Sequence, residues 1–395
     1  MRRLVLALPI LFSASLVSPL TTQARGHAAH RPFPVTIVDD LGNRVRIDAR
    51  PARILSLDPR DTETLFALGL EKRVVGDGGK DVEGAAGIST DFEYPSQWPS
   101  PWGRDYPIRS KTLPHVEGGC CGAPWNLETI ESLHPDLIFS LKSDLATIQK
   151  MRDLGLKVIV LDPASFQGIL HDLNLVARAT GATKQASVVI AAMKKQLAGV
   201  RKALAHATSR PRTYYEIDAS NPTQPYTAGQ GTFIDQAIGL AGGKNVADGI
   251  APAGTPCPGT GCYFALALEA LVRLDPQVII LGDAAYGTTV ASVKSRSGWE
   301  TISAIQSGKI YPFDDELISR AGPRIVVGIA QLARRIHPEA FKSHQPGLDS
   351  SQLTSPDPRE SAGRHWAEAA EYGRGLPPRR GRSGSRPASA TGCSA

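Results

Sequence analysis

One short pattern occurs twice in this chain. Leu127-Glu128, Leu133, Pro135 and Leu137-Ile138 recur as Leu268-Glu269, Leu274, Pro276 and Val278-Ile279, every pair separated by the same 141 positions. Each copy reads as a short helix, a proline that breaks it, and a buried strand: PDLIFSL in the first, PQVIILGD in the second. Helix-proline-strand joints are common in α/β proteins. The shared Leu-Glu opening and the fixed spacing nevertheless point to two similar α/β lobes. A chain of 395 residues with 42% hydrophobic content has enough apolar material for two domains.

Between the copies lies a long helical pattern. Ala186, Ile190, Met193, Leu197, Val200 and Leu204 place one apolar stripe on a helix over about 183–206. At a rise of ~1.5 Å per residue it is roughly 35 Å long, the width of a small domain. A rigid helix can bridge two lobes where a flexible linker would not. Upstream, residues 35–47 read as a hairpin turning at Leu41-Gly42-Asn43. A strand-like segment follows at 54–57, then a helix over 61–68 ended by Gly69. The stretch 76–123 is rich in Gly, Pro and Trp and has little periodicity, the mark of a long and often functional loop. A last amphipathic helix follows Pro323, which suits its first turn. The organisation expected is a leader over 1–24, an N-terminal lobe over 33–162, a connecting segment with the bridging helix over 163–208, a C-terminal lobe over 209–342, and a disordered Pro-, Ser-, Gly- and Arg-rich tail over 343–395.

The leader is a secretory signal by its order of parts. Arg2 and Arg3 precede an apolar run over 4–17, and Thr22-Gln23-Ala24 supplies a cleavage pattern. The run is short of a membrane span and Pro9 interrupts it. The first cysteine is Cys120, so no lipid-anchor cysteine follows the apolar run. A soluble protein of the periplasm is expected. Cys257 and Cys262 bracket Pro-Gly-Thr-Gly and are expected to form a disulfide. Cys120 and Cys121 are adjacent, where a mutual bridge is strained, and a tether between lobes is not expected. The cysteines lack the C-x2-C spacing of structural zinc, and no metal centre is expected. The net charge of +6 includes two leader arginines and seven in the last fifty residues, which makes a weak case for nucleic acid as a partner.

No catalytic signature is present. There is no G-x-S-x-G elbow, no H-E-x-x-H and no phosphate-loop lysine, and Gly229-Gln230-Gly231 has Ile234 where a dinucleotide loop needs its third glycine. A non-enzyme is expected, with a secreted hydrolase using a cleft between the lobes as the rival reading. Aromatic residues in loops stand out instead: Tyr94, Trp98, Trp102 and Trp125 in or beside the long excursion, Tyr226 and Tyr263 in the second half. Rings at a lobe interface suit a large, partly apolar ligand, and loop core packing is the alternative use. Arg320 can offer a planar multi-donor group to an anion, or an ion pair to Glu316 or Asp315.

The ordered segments VTIVDDLGNRVRI, PARILSLDPRDTETLFALGLEKRVVG, EYPSQW, PWNLETIESLHPDLIFSL, QPYTAGQGTFIDQAIGLAGGKNVA, LEALVRLDPQVIIL and RAGPRIVVGIAQLARRIHPE together resemble the periplasmic binding proteins of ABC importers for cobalamin, iron–siderophores and haem. The resemblance covers most of residues 35–340. It implies two Rossmann-like lobes joined by one long helix, a ligand clamped between them, and delivery to a membrane permease driven by a cytoplasmic ATPase. The NLE opening and the Tyr-Pro of EYP are most similar to cobalamin-binding members. That likeness puts Tyr94, Tyr226, Tyr263, Glu316 and Arg320 at ligand-facing positions, with Trp125 near a family tryptophan in shifted register. It also implies that Glu128 and Glu269, one on each lobe, pair with permease arginines. The protein expected is a monomer without a resident cofactor, whose ligand is a metal chelate: a corrinoid, or alternatively a ferric siderophore or haem.

Overall fold

The computed structural model describes residues 32–78, 112–118, 124–142, 144–252, 254–255 and 262–341. All the elements below lie in the unit that begins at Phe33. The expected leader, the tail and most of the 76–123 excursion fall outside the described residues.

The chain opens on the hairpin, β1 (Val35–Val38) paired antiparallel with β2 (Arg44–Ile47). Gly42 takes a left-handed φ of 80°, which the turn requires. Next come β3 (Ile54–Ser56), α1 (Pro59–Ala67), β4 (Val74–Asp77), α2 (Leu127–Ser132), β5 (Leu137–Ser140), α3 (Leu145–Asp153) and β6 (Val158–Val160). The four strands form a parallel sheet in the order β4-β3-β5-β6.

Two helices follow, α4 (Phe166–Thr180) and α5 (Thr183–Ala203), and a 3-10 turn extends the latter to His206. Ser165 caps α4, and Gly181 at φ 73° ends it. The second lobe holds β7 (Arg212–Asp218), β8 (Tyr226–Ala228), α6 (Phe233–Leu240), β9 (Lys244–Asn245), β10 (Tyr263–Ala265), α7 (Leu268–Leu274), β11 (Val278–Leu281), α8 (Val290–Lys294), α9 (Ser303–Ser307), β12 (Ile310–Pro312), α10 (Glu316–Ser319), α11 (Ile325–Ile336) and α12 (Pro338–Phe341). Its sheet runs β10-β8-β7-β11-β12, with β9 beside the start of β7.

The 141-residue repeat is a structural repeat. The helix of each copy leads into a central parallel strand, β5 beside β3 and β11 beside β7. Both helices end on a non-glycine residue in the left-handed region, His134 at φ 43° and Asp275 at φ 44°, also 141 positions apart. These left-handed residues immediately precede Pro135 and Pro276. In each lobe an arginine at the start of the neighbouring strand, Arg53 just before β3 and Arg212 at the head of β7, caps that helix end. Arg53 donates through Nε and Nη2 to the carbonyl of Leu133 and through Nε to that of His134. Arg212 donates to the carbonyls of Leu274 and Asp275.

Alternation along the strands builds three apolar clusters. Leu137 and Phe139 of β5, and Val278 and Ile280 of β11, join one continuous core with α4, α5, α6 and α11. Ile138 turns the other way into a cluster of the first lobe, and Ile279 into one of the second. Both faces of each sheet are therefore covered, as parallel strands require. The buried stripe of α5 is Ala186, Ile190, Met193, Leu197 and Val200, five of the six positions expected. The sixth, Leu204, is partly buried at the 3-10 end. α5 packs on α4 on one side and α11 on the other.

Candidate functional site

Polar residues gather where the parallel strands end. β3 runs into Asp58, which caps α1 by accepting from the Arg60 backbone N–H at 2.7 Å and from its Nε at 2.8 Å. Burial lowers the Arg60 pKa, but the carboxylates of Asp58 and Asp61 outweigh it, so the guanidinium stays charged. Asp61, Thr62, Glu63 and Thr64 are all buried, although acidic and hydroxyl side chains at a helix start usually face water. The Thr62 hydroxyl donates to Ser56 Oγ at 2.8 Å. Glu63 accepts from the Arg324 backbone N–H and from Arg324 Nε, both at 2.9 Å. That contact joins the helix after β3 in the first lobe to the residue before α11 in the second. Lys142 after β5 pairs with Asp162 after β6 at 2.6 Å.

In the second lobe Tyr263 pairs with Ala228 and Tyr226 with Ala265 across β10 and β8. The two tyrosines are thus two positions apart on adjacent strands and share a sheet face. Tyr263 is 37% exposed. Burial, then Asp315, then Tyr226 push its hydroxyl up to about 12, so it remains a neutral phenol at physiological pH. Asp315 accepts from the Tyr215 hydroxyl at 2.6 Å. The next residue, Glu316, accepts from Arg320 Nη2 at 2.7 Å. Arg320 therefore makes the ion pair with Glu316. Behind this wall Arg296 forms a bidentate pair with the fully buried Glu216, at 2.6 and 2.8 Å.

Of the residues singled out in the sequence, Tyr226, Tyr263, Glu316 and Arg320 gather at this end of the second lobe. Trp125 lies in the first lobe's own core with Leu55, Leu57 and Ile130. It packs so closely on Gly78 that a Cβ there would meet the ring at 2.6 Å. Tyr94 and Cys257 lie outside the described residues. Cys262 is disulfide-bonded, and its partner lies outside the described residues. Glu128 and Glu269 are both exposed in the first turns of α2 and α7. Asn126 caps α2 by accepting from the Thr129 N–H at 3.0 Å, whereas no side chain caps α7 at Ala267. The Glu63–Arg324 contact was missed in the sequence. Its signal was the run Asp61-Thr62-Glu63-Thr64, polar at consecutive positions where a surface helix would expose only one side.

Two lobes, one built on a parallel sheet and one on a mixed sheet, with a long helix packed between them make a two-lobe binding-protein architecture. The chain belongs to the periplasmic binding protein family, whose profile matches residues 54–317. It is 29% identical over 316 residues to the uncharacterized ABC transporter substrate-binding lipoprotein YvrC of Bacillus subtilis, covering 78% of this chain and 88% of the relative. It is 28% identical over 311 residues to a cobalamin-binding protein of Halobacterium salinarum, covering 77% and 74%. Among solved structures, the fold is similar to the periplasmic heme-binding protein RhuT from Roseiflexus, with a TM-score of 0.57 and 24% identity over 73% of this chain and 98% of that one.

Proposed function

We propose that this chain is the periplasmic substrate-binding component of an ABC importer, and that it captures a corrinoid in the cleft between its lobes. The similarity to an ABC substrate-binding lipoprotein and to a cobalamin-binding protein supports this class. The observation that carries the ligand reading is charge balance around a tyrosine pair. Among the described residues at the strand ends, Arg60 is matched by Asp58, Lys142 by Asp162, Arg320 by Glu316 and Arg324 by Glu63. A haem with its two propionates, or an anionic siderophore, gains most from unmatched cations. A corrinoid is edged by neutral amides and suits phenol hydroxyls, apolar rings and carboxylate acceptors. Tyr226 and Tyr263 would pack on its face, Glu316 would accept from its amides, and Arg320 would hold Glu316 in place. Tyr94 and Trp125 complete the proposed set from the first lobe, Trp125 by shaping the wall from behind. The haem reading keeps one support: a tyrosine oxygen is a haem-iron ligand in some proteins, and Tyr263 is half-exposed.

Calorimetry with cyanocobalamin, hemin and a ferric siderophore decides between them. One equivalent of cyanocobalamin is expected to bind unchanged. Tyr263→Ala and Arg320→Ala should each weaken it by about tenfold, the loss of ~1.4 kcal/mol of contact. Hemin binding at one equivalent with no cyanocobalamin heat would move the assignment to haem. Glu128 and Glu269 are proposed as the permease contacts, one on each lobe. The double change Glu128→Ala with Glu269→Ala should leave ligand affinity intact and abolish uptake by the reconstituted importer, since exposed charges fix orientation more than stability. Full uptake by that variant would remove the docking role.

A further inference from the structure

Beside Asp162 and Asp61 at the first lobe's strand ends, three side chains converge on one point. They are Asp40, in the turn between β1 and β2, and His171 and Asp172, in the middle of α4. One ligand-capable atom from each lies within 4.8 Å of the other two. Asp172 is only 6% exposed, and neither of its carboxylate oxygens has a hydrogen-bond donor. A buried carboxylate is ordinarily held by several donors or by a cation. Here the neighbouring group is a second carboxylate. Asp40 has its own anchor, accepting from the Asp162 backbone N–H at 2.6 Å through Oδ2. That bond ties the turn to the chain just after β6. A third acid, Asp61, is buried nearby with Oδ2 likewise without a donor.

We infer that Asp40, His171 and Asp172 form a binding site for one divalent transition-metal ion, with water at the remaining position. Two carboxylates and an imidazole are a donor set for Zn2+ or Mn2+ rather than for Mg2+ or Ca2+, which prefer oxygen throughout. Around a tetrahedral ion, donors sit about 3.4 Å apart at Zn–N and Zn–O distances near 2.1 Å. Asp40 and His171 are both exposed, so their rotamers are free to close the difference. The surface side of the pair admits the ion and its water, while Asp172 supplies the buried anchor. The site would pin the hairpin turn to α4, adding to the bond from Arg178 Nη2 of α4 to the Thr36 carbonyl of β1 at 3.4 Å. The role is structural. Sequence spacing gave no hint of it, because Asp40 lies far from His171 in the chain and the two ligands on α4 are consecutive.

The test uses the full chain, stripped with a chelator and then given Zn2+, Mn2+ or Ca2+ separately. Equilibrium dialysis counts bound metal, and thermal melts read its effect on stability. The wild type should hold one more equivalent of Zn2+ or Mn2+ than His171→Ala or Asp172→Asn. Its melting temperature should rise with that metal, and Ca2+ should have little effect. In both variants the rise should vanish. His171 is exposed, so its replacement leaves the fold intact and keeps the comparison interpretable. Metal-free Asp172→Asn should melt above metal-free wild type, because it removes one of two facing carboxylates. Equal metal content and equal melting response in the wild type and both variants would overturn the site.

Discussion

Asp283 shows at a single residue what burial does to a charge. It is almost fully buried, Oδ2 accepts from the Thr288 hydroxyl at 2.8 Å, and Oδ1 has no donor. Burial, then the charge of Glu216, push its carboxyl up to about 7. The unfolded value is about 3.9, so the folded state binds the proton more tightly. Its contribution to stability is present below about pH 4 and is lost as pH rises to about 7. At about 1.4 kcal/mol per tenfold change in acidity, that loss is on the order of 2–4 kcal/mol. Asp283→Asn keeps the acceptor for Thr288 and removes the titration. Urea melts at pH 5 and pH 8 should therefore differ less for the variant than for the wild type. An unchanged difference would place the pH dependence elsewhere. None of this was legible in the sequence, where Asp283 is one acid after an apolar strand. Its environment is made by Glu216, 67 positions earlier in the chain.

At the scale of elements, the repeat was legible because it rests on local chemistry. A proline breaks a helix, and an apolar run makes a buried strand, whatever surrounds them. The α5 stripe was legible for the same reason, since its spacing alone defines one face. The left-handed residues at the helix ends were not, because His134 and Asp275 are not glycine and carry no turn signal of their own. What holds them there is a long-range partner, Arg53 in one lobe and Arg212 in the other. Left-handed backbone costs an L-residue roughly 1–2 kcal/mol, while glycine takes it freely at an entropic cost of about 0.5–1 kcal/mol. His134 is exposed and its side chain makes no hydrogen bond among those described, so His134→Gly should raise stability by ~0.5–1 kcal/mol. The same change at Asp275 should lower it. That carboxylate accepts from Ser303 N and Oγ, each at 2.8 Å, and from Arg212, and those bonds would go. Chemical denaturation of the two variants should give opposite signs, and matching signs would discredit the cap assignment.

At the scale of the molecule, the two lobes are tied by more than a helix. One apolar core runs from β5 through α4, α5 and α11 to α6 and β11. The buried Glu63–Arg324 pair adds a charged link beside it. The sequence suggested two lobes and a bridge, but not the link. Glu63 and Arg324 lie 261 positions apart, and each alone reads as a helix-start charge. Removing one partner strands the other in a site with little water, at a cost of about 3–5 kcal/mol. Replacing both with apolar residues of similar volume is often far milder. Glu63→Ala and Arg324→Ala should each lose about that much stability, and Glu63→Leu with Arg324→Met should recover most of it. The shape of the transition is a second readout. The shared core should keep wild-type unfolding a single cooperative step by fluorescence and by circular dichroism. The same continuity limits motion on binding. Lobes joined by a flexible linker swing widely, but here closure would shear α5 against both α4 and α11. Small-angle scattering before and after saturation with the ligand found by calorimetry should give nearly equal radii of gyration. In Glu63→Ala the ligand-free radius should exceed the wild-type value, since the link between strand ends is cut while the helix remains. A large compaction of the wild type on binding would mean that α5 and its packing do not restrain the lobes.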